Sequence, residues 1–303
     1  MLYLGVDLGG TNIKAALVNS EGEILCEANP PTNLPRPAEA VCDDIAALCL
    51  QLAEEKDVAG VGVGCPGTVD GGTVLYSNNL DWHDFAMEEY LAQKTGLPVA
   101  VGNDANVAAL GEAWKGAAAG AQNIIMITLG TGVGGGIIIN GKILAGSHGA
   151  GGEIGHALVV RGEEEKCNCG NHGCLEQYAS ATGIVRVAGR VLAASEDDST
   201  LRELQNITAK DVLDAFKAGD AVAVRIMEYV GDLLGGAIAG FTTVVDPEAI
   251  VIGGGVSKAG QPLIDCIEKY YQRYAFSSCK ETPIVLATLG NDAGIYGAAK
   301  MVL

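Results

Sequence analysis

Apolar residues along this chain fall into short unbroken runs punctuated by glycine and into longer stretches with a helical period. Leu2 to Asp7 is an apolar, β-branched run followed by Gly9-Gly10-Thr11-Asn12, after which Ile13 to Asn19 resumes as a second run of strand length. The segment Ile124 to Asn140, IIMITLGTGVGGGIIIN, repeats this pattern around Gly130-Thr131-Gly132. Each reads as strand, glycine turn, strand. Between them the pattern predicts a proline-rich loop (Pro30 to Pro37), a helix (Ala38 to Lys56), a strand (Val58 to Gly64), a helix (Asp84 to Thr95), a strand (Leu97 to Val101) and a helix (Ala105 to Lys115). Beyond Ile139 follow a polar, Cys-rich patch and helices over Ala181 to Ala194, Thr208 to Lys217 and Asp220 to Val244. Strand Ala249 to Ile252, a helix after Gly260, strand Pro283 to Ala287 and a last helix from Asn291 complete the reading. The two glycine turns lie about one domain apart, too far for a solenoid repeat and suited to a duplicated domain. Mixed strand and helix units, twice over, predict an α/β protein of two domains, with a packed hinge near Trp114 to Gly120.

Composition narrows the classes. With 49% hydrophobic and 18% charged residues in 303, the chain has ample apolar surface to bury, which excludes disorder. The 19 Lys and Arg against 37 Asp and Glu leave a net charge of −18, a field that repels phosphate backbones and anionic membranes. No nucleic-acid or membrane partner is expected. The start MLYLGVDLGG has neither a basic region nor a small-residue cleavage site, so no signal peptide is read there. The uncharged run Gly116 to Gly141 reaches membrane-spanning length but holds eight glycines together with Gln122, Asn123 and Asn140. A cytoplasmic protein is the expectation. Of nine cysteines, six (Cys26, Cys42, Cys49, Cys65, Cys266, Cys279) are scattered singly through apolar surroundings, as reduced core thiols would be.

Several motifs carry chemistry. Gly130, Gly132 and Gly135 satisfy the dinucleotide fingerprint G-x-G-x-x-G, but a β-branched run follows where that fingerprint needs a helix. Gly136 to Lys142 nearly spells a P-loop, yet Ile143 stands where Ser or Thr belongs. Both matches are rejected. A glycine turn between strands still offers unhindered N–H groups to phosphate oxygens, with the Thr11 and Thr131 hydroxyls as further donors. An ordinary hairpin turn is the plain alternative for either one. Two matching turns, plus Asp7 as a carboxylate able to hold a metal or its water shell, favour a polyphosphate gripped from both sides. A third cluster, Gly253-Gly254-Gly255-Val256-Ser257, follows a strand and would let a flat ring approach the backbone. Asn103-Asp104 stands between a strand and a helix, where either residue makes a good N-cap and where open α/β sheets also place their chemistry.

The most specific local signal is His156, Cys167, Cys169 and Cys174, a His and three Cys within nineteen residues, with Gly170 and Gly173 allowing sharp turns. This set fits a closed, structural Cys₃His zinc site. His172 is the alternative fourth ligand. A zinc-bound His keeps one ring nitrogen for another partner, so His156 could orient Glu153 or touch a ligand, with Glu176 held rigidly beside Cys174.

Taken together, Asp7-Leu8-Gly9-Gly10-Thr11, the stretch Leu129 to His156 ending in GGEIGH, and Cys167-Asn168-Cys169-Gly170 with Gly173-Cys174-Leu175-Glu176 resemble the ROK family of sugar kinases and repressors over the whole chain, and most of all its bacterial glucokinases. The resemblance implies the two-domain, actin-like (hexokinase, ribonuclease H-like) fold with the active site in the interdomain cleft. On that fold the expected domains are 1–115 plus 291–303, and 116–290 with the zinc-binding segment 156–174. It implies transfer of the ATP γ-phosphoryl group to the 6-hydroxyl of glucose, with Asp104 as the general base. The implied sugar-binding residues are Gly67, Asn79, Asn103, Asp104, Glu153, His156 and Glu176. Asp7, Gly9, Gly10, Thr11, Asn12, Lys14, Gly130, Thr131 and Gly132 are the implied phosphate and Mg²⁺ side of the cofactor site, and Gly254 and Gly255 its nucleoside side. His156, in preference to His172, is the implied zinc ligand, and a homodimer is implied. One departure is Gly151-Gly152-Glu153 where relatives often have Ala-Gly-Glu. A repressor would need a helix-turn-helix ahead of the first hairpin, which Asp7 already occupies. A kinase for N-acetylmannosamine, fructose or allose, a non-catalytic sugar binder, and polyphosphate as donor are the competing readings.

Overall fold

The structure, a computed structural model, describes residues 1–303. The chain runs through β1 (Leu2–Leu8), β2 (Ile13–Asn19), β3 (Ile24–Ala28), α1 (Ala38–Leu52), β4 (Val58–Cys65), β5 (Thr68–Asp70), β6 (Thr73–Ser77), β7 (Trp82–Phe85), α2 (Met87–Thr95), β8 (Val99–Asn103) and α3 (Asp104–Lys115). It continues with β9 (Ile124–Leu129), β10 (Val133–Ile139), β11 (Lys142–Ile143), α4 (Glu176–Ala179), α5 (Ala181–Ala194), α6 (Ala209–Lys217), α7 (Ala221–Val245), β12 (Ala249–Gly253), α8 (Gln261–Tyr274), β13 (Ile284–Leu286) and α9 (Ala293–Met301). It divides into two compact units, Met1–Gln122 with Gly136–Gly152 and Thr288–Leu303, and Asn123–Gly135 with Glu153–Ala287.

The first unit is built on a five-stranded sheet of order β3-β2-β1-β4-β8. The β1–β2 hairpin is antiparallel, whereas β4 and β8 add parallel strands beside β1. Parallel strands need both faces covered, which is why β1 and β4 are almost continuously buried instead of alternating. Leu4, Val6, Leu17, Val61 and Val63 join Val41, Ile45 and Cys49 of α1 in one core. On β1's other side Tyr3 packs with Ile295 and Ala299 of α9. A small antiparallel sheet, β5-β6-β7, lies outside this layer.

The second sheet has the order β11-β10-β9-β12-β13, again with parallel neighbours around β12. In the second unit α7 packs on β9 and gathers α5, α6 and α8 beside it. Two sheets of matching order, each with a glycine turn after its first strand, are the duplicated α/β, actin-like architecture that the sequence implied.

Several boundaries differ from expectation. The helix from Ala38 stops at Leu52, with Glu55 in the left-handed region at φ 58°. The one expected over Asp84 to Thr95 starts at Met87, because Trp82–Phe85 pairs as β7 and Asp84 has φ 48°. Residues 136–152, expected in the C-terminal domain, cluster with the first unit. The contacts explain this: a Cβ on Gly136 would lie 2.5 Å from Ala109 Cβ of α3, and Asn106 Nδ2 donates to Gly151 O at 3.2 Å. The chain returns to the first unit at Thr288 in place of residue 291, and the stretch expected as a hinge, Trp114 to Gly120, belongs to the first unit.

Candidate active site

In the first unit the Gly9–Asn12 turn closes through Gly9 N–H donating to Asn12 O at 2.9 Å. Thr32, fully buried, supports it from behind, its hydroxyl donating to Gly9 O at 2.7 Å and its amide to Thr11 O at 2.8 Å. Gly10 and Thr11 stay exposed, so their donors remain available to a ligand. Asn12 is less available than expected, because Nδ2 donates to Asn29 O at 3.2 Å. Asp7, near the end of β1, sits opposite Lys14 in the hairpin. Burial pushes its carboxyl up from 3.8 to about 6, the Asp104 charge adds to the shift and Lys14 opposes it. The Lys14 ammonium pairs with Asp292 and lies 3.8 Å from Glu27.

The structure gives the capping role at Asn103-Asp104 to the first of the two residues. Asn103 is the N-cap of α3, its Oδ1 accepting from Asn106 N at 3.1 Å while its Nδ2 donates to Gly67 O at 2.9 Å. Asp104 is the first helical residue, and its Oδ1 accepts from Ala105 N at 2.8 Å. The helix therefore has its cap without Asp104. Gly67 has φ 108°, and a Cβ there would lie 2.2 Å from Tyr76 O, so the carbonyl that anchors Asn103 depends on glycine. Asn79 lies in the exposed turn between β6 and β7. A cavity of about 490 Å³ runs along β8 with Asn103 in its wall and Asp104 outside it.

In the second unit the turn after β9 closes through Gly130 N donating to Gly132 O at 2.9 Å. The start of α5 holds it: Ala181 N donates to Gly130 O at 2.8 Å and Thr182 Oγ1 to Thr131 O at 2.8 Å. Glu176 stands against the turn's other side, its Oε2 accepting from Val133 N at 3.1 Å. A Cβ on Gly132 would lie 2.1 Å from that same oxygen. Gly132 is thus required by a neighbouring carboxylate as well as by any phosphate. Gly254, with φ 84°, abuts the end of β9, where an added Cβ would lie 2.5 Å from Leu129 O. A cavity of about 570 Å³ is lined by Gly130, Thr131, Ala181, Leu213, Gly255 and Val256. Val256 belongs to the glycine cluster singled out from the sequence, whereas Leu213 and Ala181 are apolar walls whose only signal was the helical period.

His156, Cys167, Cys169 and Cys174 bring one ligand atom each within 4.8 Å of one another. His156 Nδ1 lies 3.7 Å from Cys167 Sγ, and Cys169 Sγ lies 3.7 Å from Cys174 Sγ. A tetrahedron with arms of about 2.3 Å has edges of about 3.8 Å, so three thiols and an imidazole at these separations match the zinc donor set. The other ring nitrogen, Nε2, lies 3.8 Å from Glu153 Oε2. His172 is exposed and is not part of this group. Burial pushes the Cys174 thiol up to about 12, with the neighbouring thiols adding to the shift.

Two clasps hold the segment that carries these residues. Gln177 accepts from Gly173 N at 2.7 Å and Cys174 N at 3.1 Å, and donates to Glu165 O at 3.0 Å. Glu163 receives Arg190 at 2.8 Å and Arg186 at 3.0 Å, and also the Tyr178 hydroxyl. Arg190 first, then Tyr178, hold its carboxyl well below the usual carboxylate range. Sequence reading missed Thr32, Gln177 and Glu163. No helix of the structure is long and apolar enough to cross a membrane.

Comparison with known proteins supplies the family. The ROK family model matches residues 3–303. The chain is 44% identical to a glucokinase of Halalkalibacterium halodurans, over 99% of this chain and 94% of that one, and 39% identical to a glucokinase of Thermotoga maritima, over 99% and 96%. It is also similar to the crystal structure of a ROK family glucokinase from Streptomyces griseus in complex with glucose and AMPPNP, at 38% identity and a TM-score of 0.77, covering 99% of both chains. With the motifs, the matched sheets and the full-length match in agreement, this chain belongs to the ROK family.

Proposed function

We propose that this protein is an ATP-dependent glucokinase that transfers the γ-phosphoryl group of ATP to the 6-hydroxyl of glucose. The observation that carries the reading is Asp104, a carboxylate at the end of a parallel strand that the helix does not need as a cap, in a chain similar along its whole length to glucokinases. Asp104 takes the proton of the 6-hydroxyl as that oxygen forms its bond to the γ-phosphorus, and the bond from phosphorus to the ADP oxygen breaks. The locked amide of Asn103, with Gly67, Asn79, Glu153, His156 and Glu176, holds the sugar so that this oxygen lies near its target. The N–H groups and hydroxyls of the Gly9–Asn12 and Gly130–Gly132 turns take the phosphates. The cavity beside Gly254 and Gly255, walled by Leu213 and Val256 and also by Lys210, Lys217 and Lys258, takes the nucleoside. Lys14 works indirectly through its pairing with Asp292 beside Asp7.

Asp7 would hold Mg²⁺, directly or through its water shell, and the ion would supply charge neutralisation on the phosphates. A carboxyl raised to about 6 by burial and by Asp104 fits that role, because a cation relieves both causes. His156, Cys167, Cys169 and Cys174 would hold a structural zinc through Nδ1 and three thiolates, leaving Nε2 toward Glu153. The protein works in the cytoplasm as a homodimer, as the reducing state of its thiols and its family suggest.

A coupled assay with ATP and a panel of hexoses tests the reading. Glucose should be the best substrate, with glucose 6-phosphate as product. Turnover of N-acetylmannosamine, fructose or allose without turnover of glucose would overturn the substrate, and turnover with polyphosphate alone would overturn the donor.

A further inference from the structure

Glu112 is a fully buried carboxylate of the first unit that the proposed reaction does not use. From α3 it accepts the N–H of Ala117 at 2.7 Å, of Thr288 at 3.1 Å and of Leu289 at 2.9 Å. Ala117 belongs to the stretch by which the chain leaves the first unit, and Thr288 and Leu289 to the stretch by which it returns and enters α9. Three backbone donors satisfy a buried carboxylate well. The informative feature is what those donors control.

α3 and α9 meet backbone to backbone. A Cβ on Gly111 would lie 2.2 Å from Ala293 O, and one on Gly297 would lie 1.7 Å from Val107 O. Such a crossing is close, and Trp114 of α3 interlocks with α9 through an edge-on ring contact with Tyr296 and a contact with Lys300; the Glu112 grip on the amides of Thr288 and Leu289 adds to this hold on the axial position of α9. Sliding would matter at the start of α9. There a Cβ on Gly294 would lie 2.6 Å from Asp7 Cγ, and Asp292 pairs with Lys14, the cross-strand partner of Asp7. The first residue of α3 is Asp104. The register of α9 on α3 therefore sets the surroundings of Asp7 relative to Asp104.

We propose that Glu112 is a positioning residue that locks this register by gripping the two amides just ahead of α9, and so holds Asp7 in place relative to Asp104. The proposal rests on the kinase reading above. Misplacing reacting groups by about 1 Å can cost about 10²-fold in rate without breaking any contact to substrate.

Two variants test it. Glu112→Gln keeps the size but turns an –NH₂ toward donors, and Glu112→Asp keeps the charge but withdraws it by one methylene. Each is assayed at a temperature where circular dichroism shows it folded, with wild-type turnover of glucose measured first. The expected result for Glu112→Gln is a fall in kcat of at least about tenfold with glucose affinity by calorimetry within about twofold of wild type. Amide exchange in a peptide covering 288–299 should accelerate alongside. Glu112→Asp should lie between the two, and carries the test if the Gln variant does not fold. An unchanged kcat in folded variants overturns the proposal. So does a loss of kcat and glucose affinity in step with the folded fraction, which is what a merely structural role gives. A wild type that phosphorylates no hexose would instead take down the kinase reading, and this proposal with it.

Discussion

A threonine hydroxyl braces each glycine turn, Thr32 on Gly9 O and Thr182 on Thr131 O, but the Gly130–Gly132 turn also has the carboxylate of Glu176 against it. The two turns share a sequence pattern and a hairpin geometry, yet the first is braced only by groups with no assigned part in the chemistry. The second has, besides Ala181 and Thr182, a proposed sugar ligand against it, Glu176, which in turn lies 3.7 Å from Cys167 of the thiol cluster. The same difference extends across the two sets of site residues. In the first unit Asp7, Asn103 and Asp104 sit at strand ends and in a first helical turn, held by the backbone of regular elements. In the second, Glu153 and His156 sit at a single 3₁₀ turn and Glu176 opens the four-residue α4, in a segment clasped by the side chains of Gln177 and Glu163. A site of the first kind should tolerate loss of a metal, and one of the second kind should not.

The strongest break in this comparison comes from the first unit. Asp104→Asn should keep its melting temperature, because Asn103 is the cap, and lose about 10²–10⁴-fold in kcat, because an amide cannot take the hydroxyl proton. Steady-state kinetics and a thermal melt on one preparation decide it; normal kcat would move the base to another carboxylate. Next is the metal. Cys169→Ser, or chelation, should free His156 and weaken glucose binding by about 10–100-fold while the first unit's melting and nucleotide contacts change little. Metal analysis should find one zinc per chain, and a zinc-free protein with full glucose affinity would show that Gln177 and Glu163 suffice to hold the segment.

A paired substitution sharpens the turns themselves. A Cβ on Gly10 meets nothing within 4 Å, but one on Gly132 meets Glu176 Oε2 at 2.1 Å. Gly132→Ala should push Glu176 aside and weaken glucose about tenfold, while Gly10→Ala should leave glucose affinity nearly unchanged. Calorimetry with glucose alone separates the two, and equal effects would mean that Glu176 does not bind the sugar.

What was legible in the sequence follows from distance along the chain. Both hairpins could be read because β-branched runs flank their glycines, and the thiol cluster because Cys167, Cys169 and Cys174 are near neighbours. Glu112 looked like any solvent-facing helix residue, since two of its three amide partners, Thr288 and Leu289, lie 176 and 177 residues away. Thr32 was hidden in a proline-rich loop, its acceptor 23 residues upstream. The β5-β6-β7 sheet was invisible because its strands are three to five residues long, too short for alternation to register. The contact of Gly132 with Glu176 had a local signal, the glycine itself, but the sequence pointed to phosphate as its cause and the structure adds a second one.

The smallest expected effect concerns stability and belongs to the buried carboxylate of the first unit. Asp7 has its carboxyl raised from 3.8 to about 6, first by burial and then by Asp104. A raised carboxylate means that the folded state holds its proton more tightly than the unfolded chain. As pH climbs from about 4 to about 6 the unfolded state therefore releases its proton first, stability falls, and the penalty is complete above about 6. Asp7→Asn removes that penalty. Without ligands, the variant should melt with the wild type near pH 4 and a few degrees above it at pH 8. Melts of variant and wild type across that range measure it. A gap for Asp7→Asn that is absent at pH 8, or that opens on the acid side, would mean that Lys14 outweighs burial at this carboxylate.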